Sequence, residues 1–378
     1  MSNERKESSI LAYFGDLPDP RIDRCKRHQL IEIIVIGICA VICSADSFVE
    51  MEEFGKAKRE WFETFLDLEN GIPSHDTFRR VFNRLKPSEF QRCFLSWIES
   101  VQEQTQGEII AIDGKALRGT FERSTNKLAI RMVSAWATKN SLVLGQVKTD
   151  EKSNEIRAIP CLLSLLEIEG CIVTIDAMGC QREIVAQIVA QRADYCISLK
   201  GNQGILHEEV RDYFQWARAT GFKQIEYSYA EAVEKDHGRI ESRKCWSVRE
   251  VDWLSNKEEW KELRSICAVE AETVELTTQK RSIETRYFIS SLESDAKALM
   301  RAVRKHWEVE NSVHWVLDVA FREDGCQIRK DNGAENFAML RHIALNLLKR
   351  EKTAKVGVKI KRNKAGWDNN YLLKVLTG

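Results

Sequence analysis

The sequence lacks several features that would each define a class of protein. Its 57 basic and 57 acidic residues leave no net charge, so any attraction to nucleic acid or to an anionic membrane must come from local clusters. Its most apolar stretch, residues 30–43, is interrupted by Glu32 and falls short of the roughly 20 residues that span a bilayer. Its eleven cysteines include no Cys-x-x-Cys pair, which argues against disulfides or a zinc site and favours a reducing, cytoplasmic environment.

The 378 residues do contain enough apolar material for two or three packing units, since 43% are hydrophobic and 8% are aromatic. The first ten residues are polar and charged and no signal-type apolar core follows them, so we expect no export. Residues 30–43 are then predicted to form a buried helix. We predict an α/β protein with five parts, bounded at 1–100, 101–222, 223–293, 294–350 and 351–378.

The first part, residues 1–100, is helical in period and holds four of the five prolines. Pro73-Ser74 is predicted to open a helix that begins after Ser74. The core face of that helix consists of four apolar residues: Phe78, Val81, Phe82 and Leu85. Arg79 and Arg80 lie on its outer side, as on a DNA-reading helix, or else on an ordinary solvated face. We expect a small helical domain that binds DNA.

The second part, residues 101–222, alternates strand and helix signals. Strand-like runs at 109–112, 129–137 and 142–147 precede a helix at 156–167, a strand at 171–175, a helix at 182–191 and a strand at 195–199. The order β-β-β-α-β-α-β resembles a ribonuclease-H-like core, in which helices pack on a mixed sheet. We expect this region to be the first part of a catalytic core.

The third part, residues 223–293, is strand-rich, and its pattern indicates antiparallel strands that form a β-rich insertion. Two helices, expected at about 294–319 and 334–349, then resume the core. The last part, residues 351–378, is expected to be a basic C-terminal tail.

Two carboxylates occupy equivalent places in the predicted sheet. Asp113 and Asp176 each follow an apolar strand and precede small residues, at the strand ends where an α/β sheet presents its chemistry. Bringing two carboxylates together is unfavourable unless a divalent cation neutralises them, so the pair predicts a Mg²⁺ or Mn²⁺ site. The alternative for each residue is a common turn or helix-capping aspartate.

A third ligand is expected from a later element, and Glu310 is the leading candidate. Spacing by four places His306, Glu310 and His314 along one face of a helix. A zinc site made by these three residues is the main rival use of that face, but it would leave the two aspartates unexplained. Other acidic residues compete with Glu310 as the third ligand: Glu308, Asp318, Glu323 and Asp324.

Three carboxylates held together suit phosphodiester chemistry. Two metal ions about 4 Å apart activate a water or a DNA 3′-hydroxyl on one side of a phosphodiester and stabilise the leaving oxygen on the other. Asp113 and Asp176 would hold the shared ion, and Glu310 would complete the shell of the second. No side-chain nucleophile is needed.

Seven blocks of sequence carry a family resemblance. They are Asp-Leu-Pro-Asp-Pro-Arg at 16–21, Ile-Asp-Gly-Lys at 112–115, Lys-Ser-Asn-Glu-Ile at 152–156, Thr-Ile-Asp-Ala-Met-Gly-Cys-Gln at 174–181, Leu-Lys-Gly-Asn-Gln at 199–203, His-Gly-Arg-Ile-Glu at 237–241 and the segment 306–321. In this order they resemble bacterial insertion-sequence transposases with a DDE catalytic triad, specifically the H-repeat-associated group linked to Rhs elements. Many related transposases have Tyr, Arg and Lys around the glutamate where this sequence has Val303, His306 and Leu317, as the H-repeat group does.

The resemblance implies that Asp113, Asp176 and Glu310 are the DDE triad, with two Mg²⁺ or Mn²⁺ ions. It implies cleavage at insertion-sequence ends and strand transfer to target DNA by a homodimer bound to double-stranded DNA, and a nucleoid-associated location when bound. The alternatives are a ribonuclease-H-like nuclease without a joining step and a catalytically inactive DNA-binding relic.

Phosphate contacts must come from local clusters, because the whole chain is neutral. From residue 341 onward ten basic residues accompany two acidic ones, which suits a duplex backbone; a solvated, frayed tail is the alternative. The other residues predicted to contact DNA are Lys115, Lys200, Asn202, Arg239, Arg243, Trp246, His306 and His314. Trp246 would stack on an unpaired base or else belong to the core. Lys115 is equally interpretable as an ordinary surface lysine.

Overall fold

A computed structural model describes residues 10–103, 106–121, 128–149, 155–236 and 238–377. Residues 152–154 and His237, which belong to two of the family blocks, lie outside the described residues.

The chain is mainly helical from residue 10 to residue 101. The helices there are α1 (Ile10–Phe14), α2 (Leu30–Ile42), α3 (Phe48–Ala57), α4 (Arg59–Phe62), α5 (His75–Arg84) and α6 (Pro87–Val101). Helix α2 is the predicted buried helix, and the carboxylate of Glu32 accepts hydrogen bonds from the backbone N–H groups of Gln29 and Leu68. Those bonds satisfy a charge that would otherwise be costly to bury. Helix α5 begins after Ser74 and buries Phe78, as predicted.

A mixed sheet forms the centre of the molecule. Its strands are β1 (Ile109–Leu117), β2 (Ile130–Ala137), β3 (Leu142–Lys148), β4 (Ile172–Ile175), β5 (Asp194–Leu199), β6 (Tyr227–Asp236), β7 (Arg239–Val248), β8 (Ser265–Glu275) and β9 (Arg281–Ser290). Helices α7 (Glu155–Leu163), α8 (Arg182–Ala190) and α9 (Gly204–Ala219) connect the strands of its first half. The order of the nine strands in the described part of the chain is β3-β2-β1-β4-β5-β9-β8-β7-β6. Strands β1, β4 and β5 are parallel and β1, β2 and β3 form an antiparallel meander, so the predicted ribonuclease-H-like core is confirmed.

The predicted antiparallel strands of residues 223–293 are present, and they extend the central sheet. Strand β9 pairs with β5 from Cys196 opposite Ser290 to Leu199 opposite Tyr287, and β8, β7 and β6 follow outward. The β-rich segment is therefore hydrogen-bonded directly to the core.

The helix predicted at 294–319 is interrupted, and the prediction of one regular helix is wrong. Helix α10 (Ala296–His306) begins after Asp295, whose carboxylate caps the backbone N–H groups of Lys297 and Ala298. A five-residue π turn (Glu310–His314) follows, and helix α11 (Trp315–Phe321) continues from it. Such π turns occur frequently at functional sites, because the extra residue redirects the side chains.

The C-terminal region packs against the core. Helix α12 (Gly333–Arg350) is buried along nearly all of its length, and α13 (Val358–Trp367) and α14 (Asn369–Thr377) follow it. The side-chain amide of Asn346 bonds both backbone groups of Val143 on β3, and that of Asn336 donates to the carbonyls of Phe82 and Leu85 at the end of α5. Helix α12 thus joins the N-terminal helices to the sheet. Among the helices that the structure describes, none is both long enough and apolar enough to cross a bilayer.

Candidate active site

Asp113 and Asp176 lie next to each other at the end of the parallel ladder between β1 and β4. The last pair in that ladder is Ile112 opposite Ile175, so the two aspartates are the next residues in register. Neighbouring strands are about 4.8 Å apart, and this register directs both side chains to the same face. The prediction that Asp113 follows a strand is wrong, since β1 continues to Leu117 and pairs with β2 there.

Backbone N–H groups hold one oxygen of each aspartate. Oδ1 of Asp113 accepts a 2.8 Å hydrogen bond from Gly114, and Oδ1 of Asp176 accepts one of 3.1 Å from Met178. Asp176 therefore does cap the short turn at Ala177–Gly179, as the alternative interpretation expected. The side-chain amide of Asn202 donates to the carbonyl of Ala177 over 2.6 Å, which fixes the same turn.

The π turn brings Glu310 and His314 to Asp113. One ligand atom from each of these three residues lies within 4.8 Å of the other two. Nδ1 of His314 is 3.1 Å from Oε2 of Glu310 and 3.5 Å from Oδ2 of Asp113. The Glu310 side chain is 60% exposed whereas that of His314 is 6% exposed, so the cluster has one open side.

Electrostatics at Asp113 is unfavourable for a lone carboxylate. The pKa of Asp113 is raised to about 6, chiefly by burial. The negative charges of Asp176 and Glu155 also raise this pKa, whereas His314 and the Gly114 N–H lower it. Glu155 reaches the site because residue 114 is glycine; a Cβ there would overlap the Glu155 carboxyl group. A divalent cation would neutralise the repulsion between these negative charges, and carboxylate oxygens and an imidazole nitrogen are suitable ligands for such a cation.

His306 does not join this group. Its Nδ1 is 3.2 Å from the hydroxyl of Thr174 on β4, and its ring is buried. Burial lowers the pKa of His306 to about 4, so the ring is neutral. The alternative of a zinc site made by His306, Glu310 and His314 is wrong with respect to His306, because Asp113 is the third residue of the cluster with Glu310 and His314. The position of His306 inside the protein also argues against the predicted DNA contact.

Lys115 is an internal residue. Its side chain is 11% exposed, and its Nζ lies 2.5 Å from Asp318, 2.9 Å from Glu323 and 3.4 Å from Asp324. The interpretation of Lys115 as a surface lysine is wrong, and its amino group is already bound by protein carboxylates. Because Asp318 lies on α11, this cluster attaches the helix after the π turn to β1 two residues beyond Asp113.

The predicted DNA-contacting residues of the β-rich segment have partners within the protein. Arg243 forms ion pairs with Glu241 and Glu234, and Arg239 lies 3.6 Å from Glu241. The two arginines line a groove of about 500 Å³ that extends to Trp307 and to Asn311 of the π turn.

Trp246 packs under the guanidinium group of Arg218, which lies 4.2 Å from the ring centroid, and beside Tyr229. This arrangement agrees with the interpretation of Trp246 as a core residue, because the Arg218 side chain covers the ring.

The other predicted contacts are accessible. Arg79 is exposed and forms an ion pair with Asp76, and Nε of Arg80 donates to the Asp76 carbonyl. Lys200 and Asn202 are exposed at the end of β5, beside the turn that follows Asp176.

The basic C-terminal region is partly interior, and the alternative of a frayed tail is wrong. Lys361 and Arg362 are buried and donate to backbone carbonyls, and Arg341 is buried beside Glu323. Burial lowers the pKa of Lys349 to about 8. The exposed lysines of this region are Lys352, Lys355, Lys359, Lys364 and Lys374.

Sequence reasoning missed the roles of three residues near the triad. Glu155 was noted only as part of a family block, and Asp318 and Glu323 only as competitors of Glu310. The spacing of Lys115 from Asp113 contained a signal, because residues two apart on a strand share a face.

Comparison with known proteins identifies the family. The family model for the "DDE_Tnp_1-associated" region matches residues 11–98, and that for the "Transposase DDE domain" matches residues 104–347. The chain is 40% identical to the "H repeat-associated putative transposase YhhI" of Escherichia coli (strain K12) over 98% of both chains. It is 42% identical to the "Putative transposase YncI" of Escherichia coli O157:H7 over 97% of this chain and 94% of that one. The chain therefore belongs to the family of transposases with a DDE domain and is related to its H-repeat-associated members.

Proposed function

We propose that this protein is a DNA strand transferase that cleaves at the ends of an insertion sequence and joins them to target DNA. The observation that carries the proposal is the position of Asp113, which lies beside Asp176 in the register of two parallel strands and within 4.8 Å of a ligand atom of Glu310 from the distant π turn. Asp176 is not part of the 4.8 Å cluster, and its place in the triad is part of the proposal. The unfavourable ionisation of Asp113 supports it, because perturbed carboxylates cluster at functional sites.

The three carboxylates are suited to hold two Mg²⁺ or Mn²⁺ ions. Asp113 would be shared between the ions, Asp176 would belong to one and Glu310 to the other. When bound, such ions activate the attacking oxygen and stabilise the leaving oxygen of a phosphodiester. The contribution of the chain is to fix the carboxylates, and the Lys115 cluster does this by attaching α11 to β1.

DNA is proposed to approach the open side of the cluster. Lys200 follows β5, the neighbour of β4, and Arg239 and Arg243 line the groove that reaches Asn311 of the π turn. Arg79 and Arg80 are accessible on α5. The exposed C-terminal lysines supply further accessible positive charge for phosphate contacts. We further propose a homodimer on DNA, since two element ends must be cut together, and residues 1–100 as its DNA-binding domain.

A joining assay tests this function. The substrate is a pre-cut duplex with a free 3′-hydroxyl, taken from the DNA that flanks the gene, together with a second labelled duplex as target. We expect the wild-type protein with Mg²⁺ to link the two. Asp113→Asn, Asp176→Asn and Glu310→Gln should retain DNA binding and lose linkage by at least 10²-fold, because each removes a carboxylate that would hold the ions that stabilise the transition state.

Two results would contradict the proposal. Nicking without any joined product would show a nuclease of the ribonuclease-H type. Equal, background-level products from the wild type and all three variants would show a DNA-binding protein without catalysis.

A further inference from the structure

We propose that His314 is a metal ligand, so that the ion held by Asp113 and Glu310 has a nitrogen donor as well as carboxylate oxygens. The inference rests on the proposed function, because it concerns the same metal site. It assigns to His314 a role other than the DNA contact predicted from its sequence position.

The distances around His314 fit one coordination sphere. Ligands that bind a divalent cation at about 2.1 Å and lie at right angles to each other are about 3 Å apart. Nδ1 of His314 is 3.1 Å from Oε2 of Glu310 and 3.5 Å from Oδ2 of Asp113. A hydrogen bond would account for the shorter distance alone, whereas a shared cation accounts for the convergence of both carboxylates on one nitrogen.

The second ring nitrogen of His314, Nε2, can carry the ring proton, so that the lone pair of Nδ1 is available to bind a metal ion. Nε2 is buried and has no hydrogen-bond partner among the described residues. The ring lines a small cavity together with Ser134, Gln146 and His342, and Oε1 of Gln146 is likewise without a partner there. Polar groups around Nε2 can accommodate a ring that is protonated on Nε2. A histidine protonated on that nitrogen presents the lone pair of Nδ1 to a metal.

The fold holds the ring rigidly. Val313 and Leu317 on either side are buried, and Asp318 four residues on is bound to Lys115. A histidine whose side chain is only 6% exposed is poorly placed to bind DNA phosphates. It is well placed to bind an ion, because preorganised ligands lose little entropy on binding.

A nitrogen donor predicts a preference among metals. Imidazole suits Zn²⁺ and Ni²⁺ better than Mg²⁺ or Mn²⁺, which prefer oxygen ligands. Replacing His314 by glutamine should therefore lower Zn²⁺ affinity at least tenfold while changing Mg²⁺ affinity much less.

Electron spin echo spectroscopy of bound Mn²⁺ tests the proposal without relying on catalysis. Directly bound imidazole nitrogen modulates the echo, and labelling all histidines with ¹⁵N changes the modulation frequency in the wild-type protein. We expect that change in the wild type, loss of the nitrogen modulation in His314→Gln, and its retention in the matched control His306→Gln. If a variant fails to fold, the labelled wild type alone still overturns the proposal when it shows no nitrogen modulation.

The outcomes separate this proposal from the proposed function. Bound Mn²⁺ without nitrogen modulation would overturn the role of His314 and leave the carboxylate site intact. Loss of modulation in His306→Gln but not in His314→Gln would identify His306 as the nitrogen ligand and would also overturn the role of His314. Absence of any Mn²⁺ binding would contradict the metal site itself and the proposed function with it.

Discussion

Asp113 and Asp176 occupy adjacent, in-register positions on two parallel strands, one residue beyond the last pair of the ladder that joins them. The fold therefore holds two carboxylates together at a cost in stability. The burial that raises the pKa of Asp113 to about 6 reports part of that cost. Sites of this kind exchange stability for function.

Asp113→Asn should stabilise the metal-free protein. The folded pKa of about 6 exceeds the unfolded value near 3.9, so ionisation of Asp113 opposes folding, and the penalty grows as pH rises from about 4 to about 6. With EDTA at pH 7.5 we expect the free energy of unfolding to rise by about 2 kcal/mol, and at pH 4 to change little. Urea unfolding at both pH values measures this. A variant that is less stable than the wild type at pH 7.5 would refute the expectation.

Lys115→Met should destabilise the protein strongly. Among the described residues, the substitution leaves the buried Glu323 with Arg341 at 3.6 Å as its one ion-pair partner. Breaking a buried ion pair on one side costs about 3 kcal/mol or more. Lys359→Met is the matched control, since Lys359 is exposed and its loss should change stability by less than about 0.5 kcal/mol. Thermal and urea unfolding compare the two. Similar stabilities would show that the Lys115 cluster is energetically unimportant.

Arg362→Met should loosen the C-terminal helices from the core. The buried guanidinium donates to the carbonyls of Ala320 on α11 and Val41 on α2, and it stacks 4.0 Å from the centroid of the Phe321 ring. Its removal leaves buried carbonyls without a donor, at about 1–3 kcal/mol for each group. Hydrogen exchange should then speed up in α13 and α14. Unchanged exchange in both helices would contradict this role.

The exposed C-terminal lysines should contribute to DNA affinity. Replacing Lys355, Lys359 and Lys364 together by glutamine should reduce the slope of log affinity against log salt concentration by about 2 to 3, because each phosphate contact contributes about 0.9. A control variant replaces Lys26, Lys56 and Lys257, which are paired with acidic neighbours, and should change the slope much less. Equal slopes for the two variants would indicate that DNA does not contact this face.

Local sequence patterns predicted most of the fold. Short apolar runs located the strands of the core, and helical periodicity located α2, α5 and α12. The adjacency of Asp113 and Asp176 was predicted from strand ends, although β1 continues past Asp113 to Leu117 and the register of the parallel ladder is what places the two aspartates side by side. The π turn was not predictable, since a spacing of four residues fits both an α-helix and the observed turn.

Long-range contacts set the limit of the prediction. The partners of Lys115 lie 203 and 208 residues away in sequence, and nothing near Lys115 indicates them. The count of C-terminal basic residues treated Lys361 and Arg362 like the exposed lysines, although backbone carbonyls hold both inside the protein. A total of charges does not distinguish a residue that binds phosphate from one that binds its own chain.

The central claim is tested most directly by measuring the equilibrium binding of Mn²⁺ to the metal-free protein. Binding is monitored through the decrease in the electron paramagnetic resonance signal of free Mn²⁺. The account predicts saturable binding by the wild type. It predicts binding weakened at least tenfold in each of Asp113→Asn, Asp176→Asn and Glu310→Gln, with Glu308→Gln as the unaffected neighbour. Wild-type affinity in all three variants would contradict the claim that these carboxylates share a metal site.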